Sequence, residues 1–412
     1  MSINETMIEF VDSRREELIQ FARRLISIPS VNPPGNERRV AQAVAEEIKR
    51  HNLGEAACHA KKEERPNLIL EIPGGRPGKT LLWNGHMDTK PVGDLDKWET
   101  DPFDPVVRNG YIYGLGSADM KSSVAAFIYA AAALKEVKKK WDGSLLLVFT
   151  ADEEAGGTYG ADYLCNEIGL KADIGLIGEP VGIQRDWETL DLISRGETCF
   201  RIQVRGTQMH SSIADLVPSV NASVKLAKVM SAFNERMVYS YQPHPLCPQG
   251  VTMGVGVMLS GGVYYGVFPG FAEFCTDVRL LPGMTPEDVR KDVEEFLDQL
   301  RQEDPELDVH LVFEPPPLGY ISPVVVPEDE PFVKNLKDAA NRVLGNSPTF
   351  GAFPGWTDAR FFDSRLGIKT IPAFGPGLLT VTHAPNEHIR VESIVEACKI
   401  YALAACNYFG EK

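Results

Sequence analysis

The sequence lacks any apolar run long enough to span a membrane. Its longest apolar stretch, residues 124–134, is too short to cross a bilayer and predicts a buried helix. Residues 1–17 carry charges throughout and contain no apolar core, so no secretory signal is visible there. We therefore expect a cytoplasmic protein without a membrane partner.

Cysteine motifs are also absent. The seven cysteines are scattered along the chain, odd in number and without CxxC spacing. This distribution predicts free thiols in a reducing compartment, in agreement with a cytoplasmic location.

Positive charge is scarce as well. The formal net charge is −15, and there is no basic cluster beyond Lys138 to Lys140. This balance argues against nucleic acid or an anionic membrane as a partner. The net charge does not indicate the charge of the substrate, because a substrate experiences only the local field of its binding cleft.

The length of 412 residues exceeds what one hydrophobic core usually serves, so two domains are expected. Short apolar runs alternate with helical patterns in the first half of the chain, which predicts an α/β domain with a mostly parallel sheet. The predicted strands of this sheet are residues 68–72, 81–84, 145–150 and 174–177.

The pattern changes after Gly196. The predicted elements then follow the order strand, helix, strand, strand, helix, strand, which is the split βαβ or ferredoxin-like arrangement of an α+β domain. A proline-rich link at 314–317 leads back to α/β material. We predict a catalytic domain formed by residues 1–196 and 314–412, with the α+β domain, residues 197–313, inserted between its two parts.

Three predicted strands of the α/β domain run directly into side chains of the metal-ligand type. His86 and Asp88 follow one strand, Glu153 and Glu154 follow another, and Glu179 follows a third. Ligands of open parallel sheets collect at the carboxyl ends of the strands. The three strands therefore direct an imidazole and several carboxylates towards one crevice.

Two further side chains extend this set. Asp119 lies in a glycine-punctuated loop at 114–121, and His383 lies in the segment 382–388, where His388 competes for the same role. The three strand ends and these two segments together offer five plausible ligand positions. A mixed imidazole and carboxylate set of this size fits two divalent ions better than one.

The order of these motifs resembles that of the M20 metallopeptidases, whose members include acetylornithine deacetylase, succinyl-diaminopimelate desuccinylase, aminoacylase and carboxypeptidase G2. The motifs are HxD, a glycine-rich loop with ADMK, then DEE, GEP and a late HAPNE, and the match extends from about Arg15 to the C-terminus. Each motif alone is weak, but five in the right order are specific.

The resemblance implies a role for each residue of the metal site. Asp119 would bridge two ions, Glu153 would be the general base, and Glu154 would be a metal ligand. Glu179 would pair with His86, and the resemblance selects His383 over His388. On a strand, residues two apart point to the same side, so Asp88 can accept the second ring N–H of His86 and fix its tautomer.

The resemblance also implies roles outside the metal site. The inserted domain would act as a lid and dimer platform, and its His210 would stabilise the oxyanion at the metals of the neighbouring subunit. Arg195, Arg279 and Thr357 match positions that hold a substrate carboxylate in some members, although each could equally be structural. A homodimer is therefore expected.

Several departures from the family pattern affect the predicted substrate pocket. Residues 114–116 read GLG where GRG is common, and residues 261–266 lack an asparagine that often faces the substrate. Trp356 stands where a small residue is common. The metal site is intact in the sequence, whereas the substrate pocket is not standard.

These observations predict a metal-dependent amidohydrolase or peptidase that cleaves a small N-acyl amino acid or peptide-like amide. Zinc is the first choice of metal, with manganese or cobalt also suited to the ligands. One alternative is hydrolysis of another C–N bond, in a carbamoyl group or an aromatic amine, which Trp356, Tyr264 and Tyr265 could help to bind. The other is a catalytically silent binding protein, against which the free acid Glu153 argues.

Overall fold

The computed structural model describes residues 2–137, 140–316 and 318–410. Lys138 and Lys139 of the basic cluster and Pro317 of the proline-rich link lie outside these ranges. The chain divides into two compact units. Unit 1 comprises the chain up to Ser194, Val324–Phe353 and the chain from Thr357 onward, and unit 2 comprises Arg195–Pro323 and Pro354–Trp356.

The helices and strands have the following bounds. The helices are α1 (Ile3–Ser13), α2 (Arg15–Ile26), α3 (Arg38–Arg50), α4 (Ser122–Val137), α5 (Ala161–Tyr163), α6 (Ala222–Arg236), α7 (Pro286–Glu303), α8 (Pro331–Leu344), α9 (Ala359–Leu366) and α10 (Val391–Tyr408). The strands are β1 (Ala57–Ala60), β2 (Pro66–Pro73), β3 (Gly75–His86), β4 (Val106–Arg108), β5 (Tyr111–Tyr113), β6 (Trp141–Thr150), β7 (Ile174–Ile177), β8 (Pro180–Gly182), β9 (Thr189–Ser194), β10 (Gly196–Arg205), β11 (Met209–His210), β12 (Thr252–Gly261), β13 (Val267–Phe268), β14 (Phe271–Leu280), β15 (Asp308–Phe313), β16 (Val324–Val325), β17 (Thr349–Phe353), β18 (Thr370–Ile371), β19 (Gly375–Leu378) and β20 (His388–Arg390).

The principal sheet of unit 1 has the strand order β1-β2-β6-β3-β7-β18. Strands β6, β3, β7 and β18 are parallel to one another, whereas β2 runs antiparallel to both of its neighbours, β1 and β6. The sequence predicted a mostly parallel sheet, and β2 is the strand that departs from the common direction. The parallel strands are buried along most of their length, as their uninterrupted apolar sequences require.

Helices α4 and α10 cover one face of this sheet through aromatic contacts. The ring of Trp83 on β3 stacks on Phe127 of α4 at 5.3 Å between centroids, and Phe127 lies 4.6 Å from the ring of Tyr401 on α10. All three side chains are fully buried. The predicted apolar helix at 124–134 is thus the buried core of α4, and among the described residues no helix is long and apolar enough to cross a membrane.

Unit 2 contains a four-stranded antiparallel sheet with the strand order β12-β14-β10-β15, a two-stranded antiparallel sheet of β11 and β13, and the helices α6 and α7. The order along the chain is β10, α6, β12, β14, α7, β15, the order that the sequence predicted. Phe233 of α6 lies between the rings of Phe200, Phe274 and Phe296, so the helices pack on the sheet through this aromatic cluster. Helix α7 begins with a capping box between Thr285 and Asp288.

Candidate metal centre

The carboxyl ends of β6, β3 and β7 lie side by side at one edge of the unit 1 sheet. His86 is the last residue of β3 and is in register with Thr150, the last residue of β6. Glu153 follows β6 by three residues, and Glu179 follows β7 by two. Because these strands are parallel neighbours, their ends bring His86, Glu154 and Glu179 to the same edge of the sheet.

Asp119 lies at the centre of this cluster, with its two carboxylate oxygens facing different partners. Its Oδ1 is 2.9 Å from Nε2 of His86, which is also 3.3 Å from Oε1 of Glu179. Its Oδ2 is 3.1 Å from Nε2 of His383, which is also 3.2 Å from Oε2 of Glu154. Two groups of donor atoms that could each hold an ion therefore share Asp119.

The electrostatics of the cluster favour positive charge on both sides of Asp119. Burial and the charge of Asp119 raise the pKa of Glu179 to about 8. Burial opposes the charged form of His383, yet contacts with Asp119 and Glu154 raise its pKa to about 10. Burial also opposes the charged form of His86, but its contacts, above all the one with Asp119, raise its pKa well above the usual value.

The donor set therefore fits divalent metal ions. Buried carboxylates at such short separations need cationic partners, and in the chain itself the two imidazoles supply them. Oxygen and nitrogen donors of this kind suit zinc, and manganese or cobalt as well. The ligands offered by the chain are His86, Asp119 and Glu179 on one side and Asp119, Glu154 and His383 on the other.

Glu153 is buried beside the two donor groups but belongs to neither. Burial raises its pKa well above the ordinary value; the charge of His86 acts against this rise, and that of Glu179 adds to it. A carboxylate that holds no ion and has a raised pKa is suited to accept and return a proton near neutral pH.

Asp88 positions the turn that carries Glu153 and Glu154. Its carboxylate accepts the backbone N–H of Glu153 at 3.2 Å and that of Glu154 at 3.1 Å, and the side-chain amide of Asn32 at 2.7 Å. The sequence predicted that this carboxylate accepts the second ring N–H of His86. In the structure the Nδ1 of His86 is 3.1 Å from the backbone carbonyl of Asp88 and 3.6 Å from its carboxylate, because the carboxylate is taken by those other donors.

A second buried network shapes the same turn, and its role was not predicted from the sequence. Asp152 adopts a left-handed conformation with φ of 65°, which is rare outside glycine. Its carboxylate accepts hydrogen bonds from Arg65 at 2.8 Å, Asn32 at 3.1 Å and the backbone of Tyr159 at 2.9 Å. Arg65 also donates to buried Glu37 at 2.8 Å. The DEE motif marks Asp152, but its partners are distant in sequence.

Glu387 orients the loop that carries Asp119. Its carboxylate accepts the backbone N–H groups of Gly116, Ala118 and Asp119 at 2.8 to 3.1 Å. Gly116 has φ of 79°, and a side chain there would meet Thr89 at 2.6 Å, so the loop requires glycine at this position. Glu387 is the glutamate of the HAPNE motif, so the motif could have been used to predict that Glu387 contributes to the site.

His388 lies outside the cluster. Its ring packs 5.4 Å from that of Tyr111 and 5.0 Å from that of Tyr113, and its Nδ1 is 2.8 Å from the backbone carbonyl of Asn386. Of the two competing histidines, the structure therefore places His383 at the centre.

The predicted substrate residues have other partners in the structure. Thr357 is fully buried, and its hydroxyl accepts the backbone N–H of Ala359. In unit 2, Arg279 forms ion pairs with Glu197 at 3.0 Å and Asp277 at 3.4 Å.

The other predicted residues of unit 2 are placed as follows. Arg195 donates to the hydroxyl of Thr252 at 3.0 Å. His210 ends β11, is exposed, and its Nδ1 is 2.8 Å from the hydroxyl of Ser212. The indole of Trp356 donates to Glu197 at 2.8 Å. Their substrate roles stay predictions.

Both the sequence and the fold are similar to those of known proteins. A model of peptidase family M20/M25/M40 matches residues 82–407. The chain is 30% identical to a succinyl-diaminopimelate desuccinylase of Thioalkalivibrio sulfidiphilus, over 93% of this chain and 97% of that protein. The fold is similar to that of an M20 family metallo-carboxypeptidase from Sulfolobus solfataricus, with a TM-score of 0.71, 22% identity and coverage of 95% of this chain and 99% of that one. A dinuclear metal-binding M20 peptidase from Bacillus subtilis gives a TM-score of 0.67 at 16% identity, covering 96% of this chain and 98% of that one.

Proposed function

Because the chain belongs to peptidase family M20 and is an enzyme of the metal-dependent hydrolase class, we propose that it cleaves the amide bond of a small N-acyl amino acid or peptide-like substrate. The observation that carries the proposal is the position of Asp119. Its two oxygens face separate donor groups, an arrangement suited to a carboxylate that bridges two ions.

In this proposal Asp119 would be shared by two ions. His86 and Glu179 would complete the first site, and Glu154 and His383 would complete the second. Zinc is the proposed metal. When bound, two such ions acidify water and polarise the carbonyl oxygen of an amide.

The residues of the chain perform the proton transfers of the reaction. Glu153 takes the proton of the attacking water and later returns it to the nitrogen of the leaving amine. The hydrogen bonds from the Glu153 and Glu154 backbones to Asp88 keep the base and the neighbouring ligand in fixed positions. Asp88 is therefore assigned as a positioning residue.

We assign His210 and the inserted domain to a homodimer, in which the imidazole of one subunit donates to the oxyanion formed at the site of the other. The support is the family resemblance and the surface of β12, which is an edge strand. Val257, Met258 and Leu259 on this strand are 56 to 61% exposed. An apolar edge strand of this kind is suited to pair with another chain.

The test is a substrate screen combined with a change to the base. The zinc- and manganese-loaded protein is assayed against N-acyl amino acids, dipeptides and carbamoyl compounds, and the last class tests the alternative C–N bond. Glu153→Gln keeps the shape of the side chain and removes the proton acceptor, so kcat falls by at least about two orders of magnitude while metal content stays unchanged. Near-normal turnover of the variant would mean that the base lies elsewhere.

A further inference from the structure

Arg65 is buried next to the turn that carries Glu153 and Glu154, and its guanidinium joins two carboxylates. The Nε of Arg65 is 2.8 Å from Oε2 of Glu37, and its Nη2 is 2.8 Å from Oδ1 of Asp152. The side chain of Arg65 is 6% exposed, and those of both partners are less exposed still. Water therefore screens these ion pairs little, and the planar guanidinium holds the two carboxylates in a defined geometry.

The segment that precedes α3 closes over this guanidinium. Gly35 has φ of 78°, and a side chain at this position would clash with Arg65. The amide of Asn32, in the same segment, donates to Asp152 at 3.1 Å and to Asp88 at 2.7 Å. The turn after β6 is therefore held by two connected carboxylates, and Arg65 anchors one of them.

The backbone of the turn explains why it needs an anchor. Asp152 has φ of 65°, a conformation that is unfavourable for a residue with a side chain and persists only where the surroundings enforce it. The next two residues have different environments: Glu154 is 3.2 Å from His383, whereas Glu153 belongs to neither donor group. A turn that relaxed from the left-handed conformation would move both glutamates.

We propose that Arg65 is a positioning residue that acts through Asp152. It fixes the turn so that Glu153 is held as the base and Glu154 as a ligand of the second proposed ion. This inference rests on the proposed function for the roles of the two glutamates. The donor group on the other side of Asp119 lies at the ends of β3 and β7 and contains no residue of this turn. Loss of Arg65 therefore affects one ion selectively.

Zinc titration of the metal-free protein tests the inference without turnover. The wild-type protein binds two ions, and Arg65→Met weakens one of them by at least about tenfold, the effect typical of a lost outer contact, while the other keeps its affinity. A His383→Ala background assigns the weakened ion, because it lacks the second proposed site. In that background Arg65→Met leaves the affinity of the remaining ion unchanged.

A double variant tests whether Arg65 acts through Asp152. Asp152→Asn keeps the size of the side chain and tolerates the left-handed backbone, but removes the charge that pairs with the guanidinium. At saturating zinc, each single variant lowers kcat by at least about tenfold with little change in KM, since neither side chain is proposed to touch the substrate. The double variant is no slower than the slower single variant, because both changes remove the same contact. Losses that multiply overturn the inference.

Arg50→Met is the matched control. Arg50 also joins two carboxylates, those of Glu17 at 2.8 Å and Glu47 at 2.6 Å, but at the last residue of α3. This control keeps both zinc affinities and kcat. Arg65→Lys takes the place of Arg65→Met if the latter does not fold, because a lysine keeps the charge but cannot donate to both carboxylates in the geometry of the guanidinium.

The remaining outcomes separate this inference from the proposed function. Equal weakening of both ions in the Arg65 variants, or zinc affinities and kcat equal to those of the wild type, overturns the inference. A wild-type protein that binds two ions and hydrolyses no amide contradicts the proposed function, while selective loss of one ion in Arg65→Met still supports the positioning of Glu154.

Discussion

At the residue scale, the position of Asp119 depends on Glu387. Burial and the nearby Asp119 raise the pKa of Glu387 to about 8, whereas hydrogen bonds from the loop backbone act in the opposite direction. Glu387 therefore bears an energetic cost of burial that its three backbone contacts offset. The loop that carries the proposed bridging ligand is fixed by a residue that lies far away in sequence.

We predict that Glu387→Gln weakens metal binding. The amide keeps the size of the side chain but replaces one acceptor oxygen by a donor, which cannot accept from the loop N–H groups. Loss of such outer contacts typically costs about 10- to 100-fold in metal affinity, and competition with a zinc chelator measures it.

Glu392→Gln is the control for this change, because Glu392 forms an exposed ion pair with Arg15 on the surface of α10. Its metal affinity remains that of the wild type. A Glu387→Gln variant with unchanged zinc affinity would show that the loop holds its conformation without this carboxylate.

The identity of the clustered side chains could be predicted from the sequence, but their detailed contacts could not. His86, Glu154 and Glu179 each follow an apolar strand, and this was enough to predict that the three side chains lie in one cluster. The contacts of Asp88 depend on the path of the turn after β6. Such contacts depend on tertiary packing rather than on local pattern.

At the scale of elements, the carboxyl ends of the strands predicted at 81–84, 145–150 and 174–177 lie within two residues of the observed ends, because these segments are buried and uninterrupted. The predicted starts were less accurate, since β3 begins at Gly75 and β6 at Trp141. The pattern of apolar residues did not indicate the direction of β2, which runs antiparallel to β6. Only Gly74 separates β2 from β3, whereas a parallel crossover needs about a dozen residues or more. The short connection could therefore have predicted that β2 and β3 run in opposite directions. The two strands lie on either side of β6.

The end of unit 2 shows a similar limit. The proline-rich link at 314–317 suggested a boundary at 313, but the segment beyond it remains paired with β10. The backbone of Ile321 exchanges hydrogen bonds with that of Glu197 at 2.7 and 2.9 Å, and Leu318 accepts from Cys199. Proline content indicates an irregular segment but does not indicate which unit it packs against.

At the scale of the whole molecule, the proposed dimer can be tested by complementation. His210→Ala and Glu153→Ala are each expected to be nearly inactive. When the two variants are unfolded together and reassociated, a mixed dimer contains one site with an intact Glu153 and the intact His210 of the partner. Random pairing restores about a quarter of wild-type sites, because half of the dimers are mixed and each has one intact site.

The control is proof that mixed dimers form, which differently tagged variants provide by co-purification. Activity is then measured on the mixed fraction. Mixed dimers as inactive as their parents would mean that His210 acts within its own chain or has no part in the reaction.

The central claim is that Asp119 bridges two ions, and metal content measures it most directly. Elemental analysis of the protein as purified, without dialysis, is expected to approach two divalent ions per chain, and Asp119→Ala is expected to lose both together because its oxygens face both donor groups. Glu153→Gln serves as the comparison and retains both ions. An Asp119→Ala variant that loses one ion and keeps the other would contradict the bridge.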